Sequence, residues 1–246
     1  MTQYNISIII PVLNEATIIQ STLLELQKNQ SIEIIVVDGG SQDNTIKIVQ
    51  QTGAKLITAT GGKAAQMNQG ANIAQSELLL FLHGDTHLPQ NFIPLVRETL
   101  NQPKVVAGAF ELAINGKEKS FRWVELMVKI RSRLFSLPYG DQGIFVRKNL
   151  FEQIGGYRNL PIMEDFDLIQ RLKRQGEIAI ASGRVLTSGR RWQKLGVWQT
   201  TVINQLVIVG YYLGISPAKL RNLYFRQHDN SNIRKSNKLL FWFSKD

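Results

Sequence analysis

This 246-residue sequence predicts an α/β fold in which helices cover both faces of a mostly parallel central sheet. Three observations carry that expectation. The apolar runs at residues 8–10, 34–37 and 78–82 are continuous and mostly β-branched or leucine, as in strands buried on both faces. Between them lie segments with apolar residues at helical spacing. Strand and helix alternate in this way from residue 5 to residue 82, the pattern of a doubly covered parallel sheet.

Residues 5–12 form the expected first strand, with Pro11 near its end. Residues 15–28 follow as a helix, with Ile18, Ile19, Leu23, Leu24 and Leu26 near helical spacing. Residues 32–37 are the second strand and run into Asp38-Gly39-Gly40. Ser41 is the expected cap of the next helix, whose apolar face holds Ile46, Ile48 and Val49. Residues 54–58, 63–75 and 78–82 read as strand, helix and strand, and another helix is expected near Pro89.

The second half is less regular. It reads as a strand at 105–114, a basic amphipathic helix at 117–137, a loop entering a strand at 140–147, and a helix at 148–154 closed by Gly155-Gly156. A helix at 164–175 carries Arg171, Lys173 and Arg174 at its C-terminal end, where cations are favoured. Residues 195–218 are uncharged, but Gln193, Thr200, Thr201, Asn204 and Gln205 share one side of a helix. A membrane span needs about 20 predominantly apolar residues, so this segment reads as an amphipathic core or interfacial helix.

Charge divides the chain unevenly. Residues 1–116 have a net charge of −3, and residues 117–246 one of +13. The basic half therefore suits an anionic partner or surface. The absence of cysteine excludes disulfides, thiolate zinc sites and a cysteine nucleophile. The polar N-terminus shows no charged and apolar leader pattern, which predicts a cytoplasmic protein. Nucleic-acid modules interleave aromatic and basic residues on an exposed sheet. The strands here are apolar throughout, so no nucleic-acid partner is expected.

Ligands of such sheets bind beyond the carboxyl ends of the strands. The loops there carry Asn14 and Glu15, then Asp38, then Lys63, then His83 and Asp85. Asp85 is either a turn or cap residue or, with Gly84 leaving room beside it, an anchor for a hard divalent cation against a diphosphate. His83 and His87 flank it but do not make a zinc site by themselves. Asp38 is either a turn residue or an acceptor for a nucleobase or ribose. Gly61-Gly62-Lys63 is not a P-loop, and no G-x-G-x-x-G follows the first strand, which disfavours an ordinary dinucleotide fold. Glu164 and Asp165 open a helix, where acidic residues suit the dipole, yet a carboxylate there is equally placed to act as a general base. Asp141 and the Arg190-Arg191-Trp192 cluster stay open between structural and functional roles.

Taken in order, IIIPVLNEA, VVDGGSQDNT, GKAAQMNQGA, LLLFLHGDTHLP, YGDQGIF and MEDFDLIQRL resemble the motifs of family 2 glycosyltransferases of GT-A fold. The likeness covers about residues 5 to 195, and two of the segments resemble a bacterial subgroup of small soluble members. The resemblance implies a three-layer sandwich with a donor half at 1–116, an acceptor and catalytic half at 117–226 and a basic tail at 227–246. It implies a nucleotide-sugar donor, a UDP-sugar, lined by Pro11, Val12, Asn14 and Glu15, with Asp38 on the uracil or ribose and Lys63 near the diphosphate. Asp85 matches the last carboxylate of the family's D-x-D metal motif, and His83 stands where the first belongs. A magnesium or manganese ion is thus implied, anchored at Asp85 with His83 as a further candidate ligand.

Asp165 matches the catalytic base of the family's E-D pair. Asp141, Gln142 and Glu164 match the acceptor side, and Arg191 and Trp192 loosely match a later basic-aromatic motif. The reaction implied is a single inverting displacement onto an acceptor hydroxyl. The altered metal motif leaves a catalytically silent nucleotide-sugar binding protein as the alternative. The helix at 117–137 suits either core packing or an anionic membrane surface, so a lipid or other membrane-associated acceptor and peripheral attachment at the inner face of the cell membrane are further expectations.

Overall fold

The computed structural model describes residues 4–224, which fall into two compact units. The first is Met1–Asn159 with Glu164–Ser188, and the second is Leu160–Met163 with Gly189–Asp246. The functional division expected at residue 116 falls inside the first unit, and the basic tail at 227–246 lies outside the described residues.

In the first unit β1 (Ile6–Val12), α1 (Ile19–Leu26), β2 (Ile32–Asp38), α2 (Thr45–Gln50), β3 (Lys55–Thr58), α3 (Lys63–Ile73) and β4 (Leu78–Phe81) alternate as expected. There follow β5 (Thr86–His87), α4 (Phe92–Leu100), β6 (Val105–Asn115), α5 (Lys119–Leu134), a 3-10 turn at Gly140–Gln142, β7 (Ile144–Arg147), α6 (Lys148–Gln153), α7 (Glu164–Lys173) and β8 (Glu177–Ser188). The strands form one sheet in the order β3-β2-β1-β4-β7-β6-β8-β5. Only β7 and β5 run against their neighbours, so the sheet is mostly parallel.

The apolar runs explain the layering. Alternate residues of a strand face opposite sides. Ile9, Ile35, Val37, Leu79 and Phe81 share one buried cluster with Met67 of α3, Phe151 of α6 and Leu168 of α7. Their neighbours Ile8, Ile10, Ile34, Val36 and Leu80 are equally buried, which requires cover on the second face as well. Helix α3 lies close on the sheet: a Cβ at Gly70 would come 2.4 Å from Cγ2 of Ile9. In-register pairing of Val12 with Asp38, and of Asp38 with Thr58, then ends β1, β2 and β3 in one row.

Several local expectations need correction. The first helix begins at Ile19 rather than at residue 15, and the fourth at Phe92 rather than near Pro89. Ser41 does not cap α2, whose N-cap is Asn44; its Oγ instead accepts a hydrogen bond from the Asn14 amide at 2.9 Å. Strand β8, paired with β6 over most of its length, was not expected. Its burial is broken by the exposed Glu177, Ser182 and Arg184, so its sequence lacks the continuous apolar run that marked the other strands.

The second unit contains α8 (Arg190–Leu195) and α9 (Val197–Tyr212). The polar stripe expected over 193–205 is divided: Gln193 and Gln205 are exposed, Thr201 and Asn204 half-buried, and Thr200 buried. Thr200 is buried and its Oγ1 donates to the Gly196 carbonyl at 2.8 Å, while Thr201 Oγ1 donates to Val197 at 2.8 Å. Satisfied by their own backbone in this way, hydroxyls lose their need for water.

Candidate active site

At the carboxyl ends of β1 and β2 the chain is tied by side chains from three directions. Gln66 of α3 is buried, and its Nε2 donates to the Val12 carbonyl at 2.9 Å and the Val37 carbonyl at 2.7 Å. One amide thus closes two strand ends, a role that no sequence motif had assigned to it. Pro11 precedes this clamp half-buried on β1. Asn14 has φ of 55°, a left-handed conformation that asparagine tolerates. Its Oδ1 accepts the Gln42 amide at 2.8 Å, and the Glu15 amide donates to Thr45 Oγ1 at 2.9 Å. The two loops after β1 and β2 therefore brace each other.

Asp38 ends β2 and is 1% exposed. Its Oδ2 accepts the amides of Gly40 at 2.8 Å and Ser41 at 2.9 Å. Its Oδ1 is buried and has no hydrogen-bond partner. A buried carboxylate oxygen with an empty lone pair is expensive, and it is a natural acceptor for a ligand N–H or O–H. Nothing lies within 4 Å of where a Cβ would stand on the neighbouring Gly40, so the backbone there is open to close approach.

Lys63 is the first residue of α3, after Gly61 and Gly62 at φ of 103° and 88°. Its Nζ lies 2.6 Å from Nε2 of His83 and 3.5 Å from Oε1 of Glu164. An ammonium has only protons to offer, so Nε2 of His83 is the acceptor and the ring proton belongs on Nδ1. Burial pushes the Glu164 carboxyl above its ordinary range; the Lys63 charge opposes this, and neighbouring Asp165 adds to it.

Asp165 is held by two backbone amides: Gly140 donates to Oδ2 at 2.7 Å and Phe166 to Oδ1 at 2.7 Å. Each oxygen keeps a second lone pair. Gly140 is closely enclosed, since a Cβ there would stand 3.0 Å from His83 Nε2 and 3.2 Å from Asp165 Oδ2. Lys63, His83, Gly140, Glu164 and Asp165 are thus brought to one place. Immediately before Glu164, Met163 has φ of 69°, a strained conformation for a large side chain.

The loop leading into Gly140 is fixed from α5. The Arg131 guanidinium lies 3.3 Å from the centroid of the Tyr139 ring, and its Nε donates to the Leu137 carbonyl at 3.0 Å. Gln142 is fully buried; its Nε2 donates to Phe110 and its Oε1 accepts from Arg131 and from the Tyr139 amide. Its side chain shapes the loop from within. Asp141 lies half-buried in the same turn. Trp192 lies half-buried on α8 of the second unit, and the Arg191 side chain lies outside the described residues.

The donor set limits what a metal would find. Nε2 of His83 is engaged by Lys63, and Asp85, the carboxylate that follows it, is half-buried. Among the described residues no three His, Cys, Asp or Glu side chains are grouped so as to enclose an ion. These residues fit a hard cation that keeps one carboxylate and takes its remaining ligands from phosphate and water, the usual habit of magnesium.

Known proteins resemble this chain in sequence and in fold. Residues 7–159 match the model of glycosyl transferase family 2. An uncharacterised glycosyltransferase of Rickettsia conorii is 30% identical over 70% of this chain and 32% of its own length. A PGL/p-HBAD biosynthesis glycosyltransferase of Mycobacterium bovis is 29% identical over 65% of this chain and 66% of its own. The chain therefore spans from about a third to about two thirds of these relatives. Among solved structures, the Pyrobaculum calidifontis mannosyltransferase in complex with GDP-Man and Mn2+ superposes with a TM-score of 0.66 at 17% identity, covering 99% of this chain and 81% of that one. Staphylococcus aureus TarS in complex with UDP-GlcNAc does so at 0.60 and 17% identity, over 91% of this chain and 72% of that one. With an α/β sheet shared with GT-A structures and a family match over more than half its length, the chain belongs to glycosyl transferase family 2.

Proposed function

We propose that this protein transfers a glycosyl group from a nucleoside-diphosphate sugar to an acceptor hydroxyl, with inversion at the anomeric carbon. The observation that carries the proposal is the convergence of the Lys63 ammonium with the Glu164-Asp165 carboxylates beyond the strand ends. Such a site holds a cation for a leaving diphosphate and a fixed carboxylate for an incoming hydroxyl. The donors named on the structural neighbours, GDP-Man and UDP-GlcNAc, support a sugar nucleotide of this class; a UDP-sugar is the donor proposed here.

In this reading Asp38 Oδ1 accepts an N–H of the base or a ribose hydroxyl. The Asn14 and Glu15 loop lies beside it, and Lys63 meets the diphosphate. Asp85 would hold a divalent cation, which would supply positive charge against that of the leaving group. Asp165 takes the proton from the acceptor hydroxyl as its oxygen attacks C1 from the side opposite the diphosphate. The C1–O bond to the phosphate breaks in the same displacement, and the nucleoside diphosphate leaves with the bonding electrons. The acceptor lies on the side of Asp141 and Glu164.

A membrane-associated hydroxyl acceptor is supported by α5. Its Trp123, Met127, Ile130 and Leu134 recur at helical spacing and are 40–75% exposed, beside Lys129 and Arg133. The test is product analysis by mass spectrometry with UDP- and GDP-sugars and a lipid extract, using the wild type and Asp165→Asn. The wild type forms a glycosylated product, while Asp165→Asn binds donor normally and forms none. Wild-type turnover by Asp165→Asn would refute the assignment, and donor binding without any product would identify a silent relative.

A further inference from the structure

We infer that the outward face of α9 is a docking surface for an anionic lipid bilayer. The helix carries apolar residues on both its buried and its exposed side. Thr200, Ile203, Val207 and Gly210 form its buried face, and within the second unit a Cβ on Gly210 would stand 2.7 Å from Leu220. On the opposite face Trp198, Val202, Leu206, Val209 and Leu213 recur at spacings of three and four residues and are 50–75% exposed. A water-facing helix normally turns a polar stripe outward; here the exposed Gln199 and Gln205 only flank a stripe that is mostly apolar.

Four features favour a bilayer over other occupants. Residues 189–224 carry five basic residues, Arg190, Arg191, Lys194, Lys219 and Arg221, and no acidic one. Such a one-signed segment repels a second copy of itself and attracts anionic headgroups. The stripe is bounded by Trp198 and Tyr212, each 62% exposed, and aromatic rings with one polar atom favour the headgroup boundary. The 16 residues of α9 extend about 24 Å, short of the roughly 30 Å hydrocarbon core. No described helix is long and apolar enough to cross a membrane, so α9 lies in the interface plane.

This surface goes beyond the transfer reaction, and its test needs no donor. The full chain is sedimented with vesicles of phosphatidylcholine alone or with 30% phosphatidylglycerol, at low and high salt. The wild type co-sediments with the anionic vesicles at low salt, and Leu206→Ser/Val209→Ser lowers that partitioning at least tenfold while nucleotide binding stays unchanged. Brominated lipids quench wild-type tryptophan emission more than that of Trp198→Phe, which reports on α9 even if the double variant misfolds. Failure to bind anionic vesicles, equal binding by the folded double variant, or equal quenching in Trp198→Phe overturns the inference. So does a wild-type dimer that the double variant converts to monomer, since the face would then join two copies. Loss of transfer with intact vesicle binding would instead count against the catalytic reading alone.

Discussion

The Lys63 ammonium lies 2.6 Å from Nε2 of His83, at the position where the family motif carries a carboxylate. Because neutral imidazole carries no charge, Lys63 keeps more of its positive field for a ligand than it would beside an aspartate. Lys63→Met should therefore weaken UDP binding about tenfold or more, near 1.4 kcal/mol, and leave UMP binding almost unchanged. Calorimetry with both nucleotides measures the difference. Equal losses for UDP and UMP would show that Lys63 does not read the second phosphate.

Glu164 supplies a pH prediction. Burial raises its carboxyl above the unfolded value of 4.5; Lys63 opposes the shift and Asp165 reinforces it. A raised folded value means that the native state binds more protons than the unfolded one. Its contribution to stability is then complete below about pH 4.5 and is lost as pH rises through the folded value. Glu164→Gln removes that loss, so the variant's Tm advantage over the wild type should grow as pH rises from about 4.5. Paired thermal melts between pH 4 and 8 test the sign. An advantage that shrinks with rising pH would show that the Lys63 ion pair outweighs burial.

Asp38 separates a structural role from a binding role. Asp38→Asn keeps an oxygen for the amides of Gly40 and Ser41 and places an amide group where the unpartnered Oδ1 stood. The amide nitrogen is no better partnered than the oxygen it replaces, so the ligand-free Tm should stay close to that of the wild type. Nucleotide affinity should fall at least about tenfold, since the group that accepts from the ligand has become a donor. A clearly lowered Tm together with normal affinity would reverse the assignment.

These residues also show what was legible in the sequence. Strands β1, β2 and β4 were visible because burial on both faces demands mostly apolar runs, interrupted in β1 and β2 by Ser7 and Glu33, and their carboxyl ends pointed to Asn14, Asp38 and Asp85. Strand β8 was hidden because its burial alternates with exposed polar positions, and a short period-2 pattern with Gly183 inside it is a weak signal. Gln66 was hidden for another reason. Its contacts are the Val12 and Val37 carbonyls, and backbone acceptors leave no trace in side-chain spacing. The clue was present, however: Gln66 interrupts the otherwise small and apolar inner face of α3, beside Ala64 and Met67. In the stripe at 193–205 Thr200 was misjudged, because threonine reads as polar even when its hydroxyl bonds within its own helix, whereas Gln193 and Gln205 are exposed as a polar stripe would be.

Gly140 offers a test of how the base is positioned. Its amide donates to Asp165 Oδ2 at 2.7 Å, and its missing Cβ leaves room for both that oxygen and His83 Nε2. A methyl group at 3.0–3.2 Å from those atoms must displace one of them by a few tenths of an ångström. Asp38 and its Gly40 and Ser41 amides belong to another loop and should not move. Gly140→Ala is thus expected to lower kcat about 10- to 100-fold, as small misplacements of reacting groups do, while donor affinity changes less than about twofold. Single-turnover kinetics against donor binding separate the two effects. Unchanged kcat would show that the site absorbs the methyl group, and a parallel loss of donor affinity would show that the disturbance is not confined to the base.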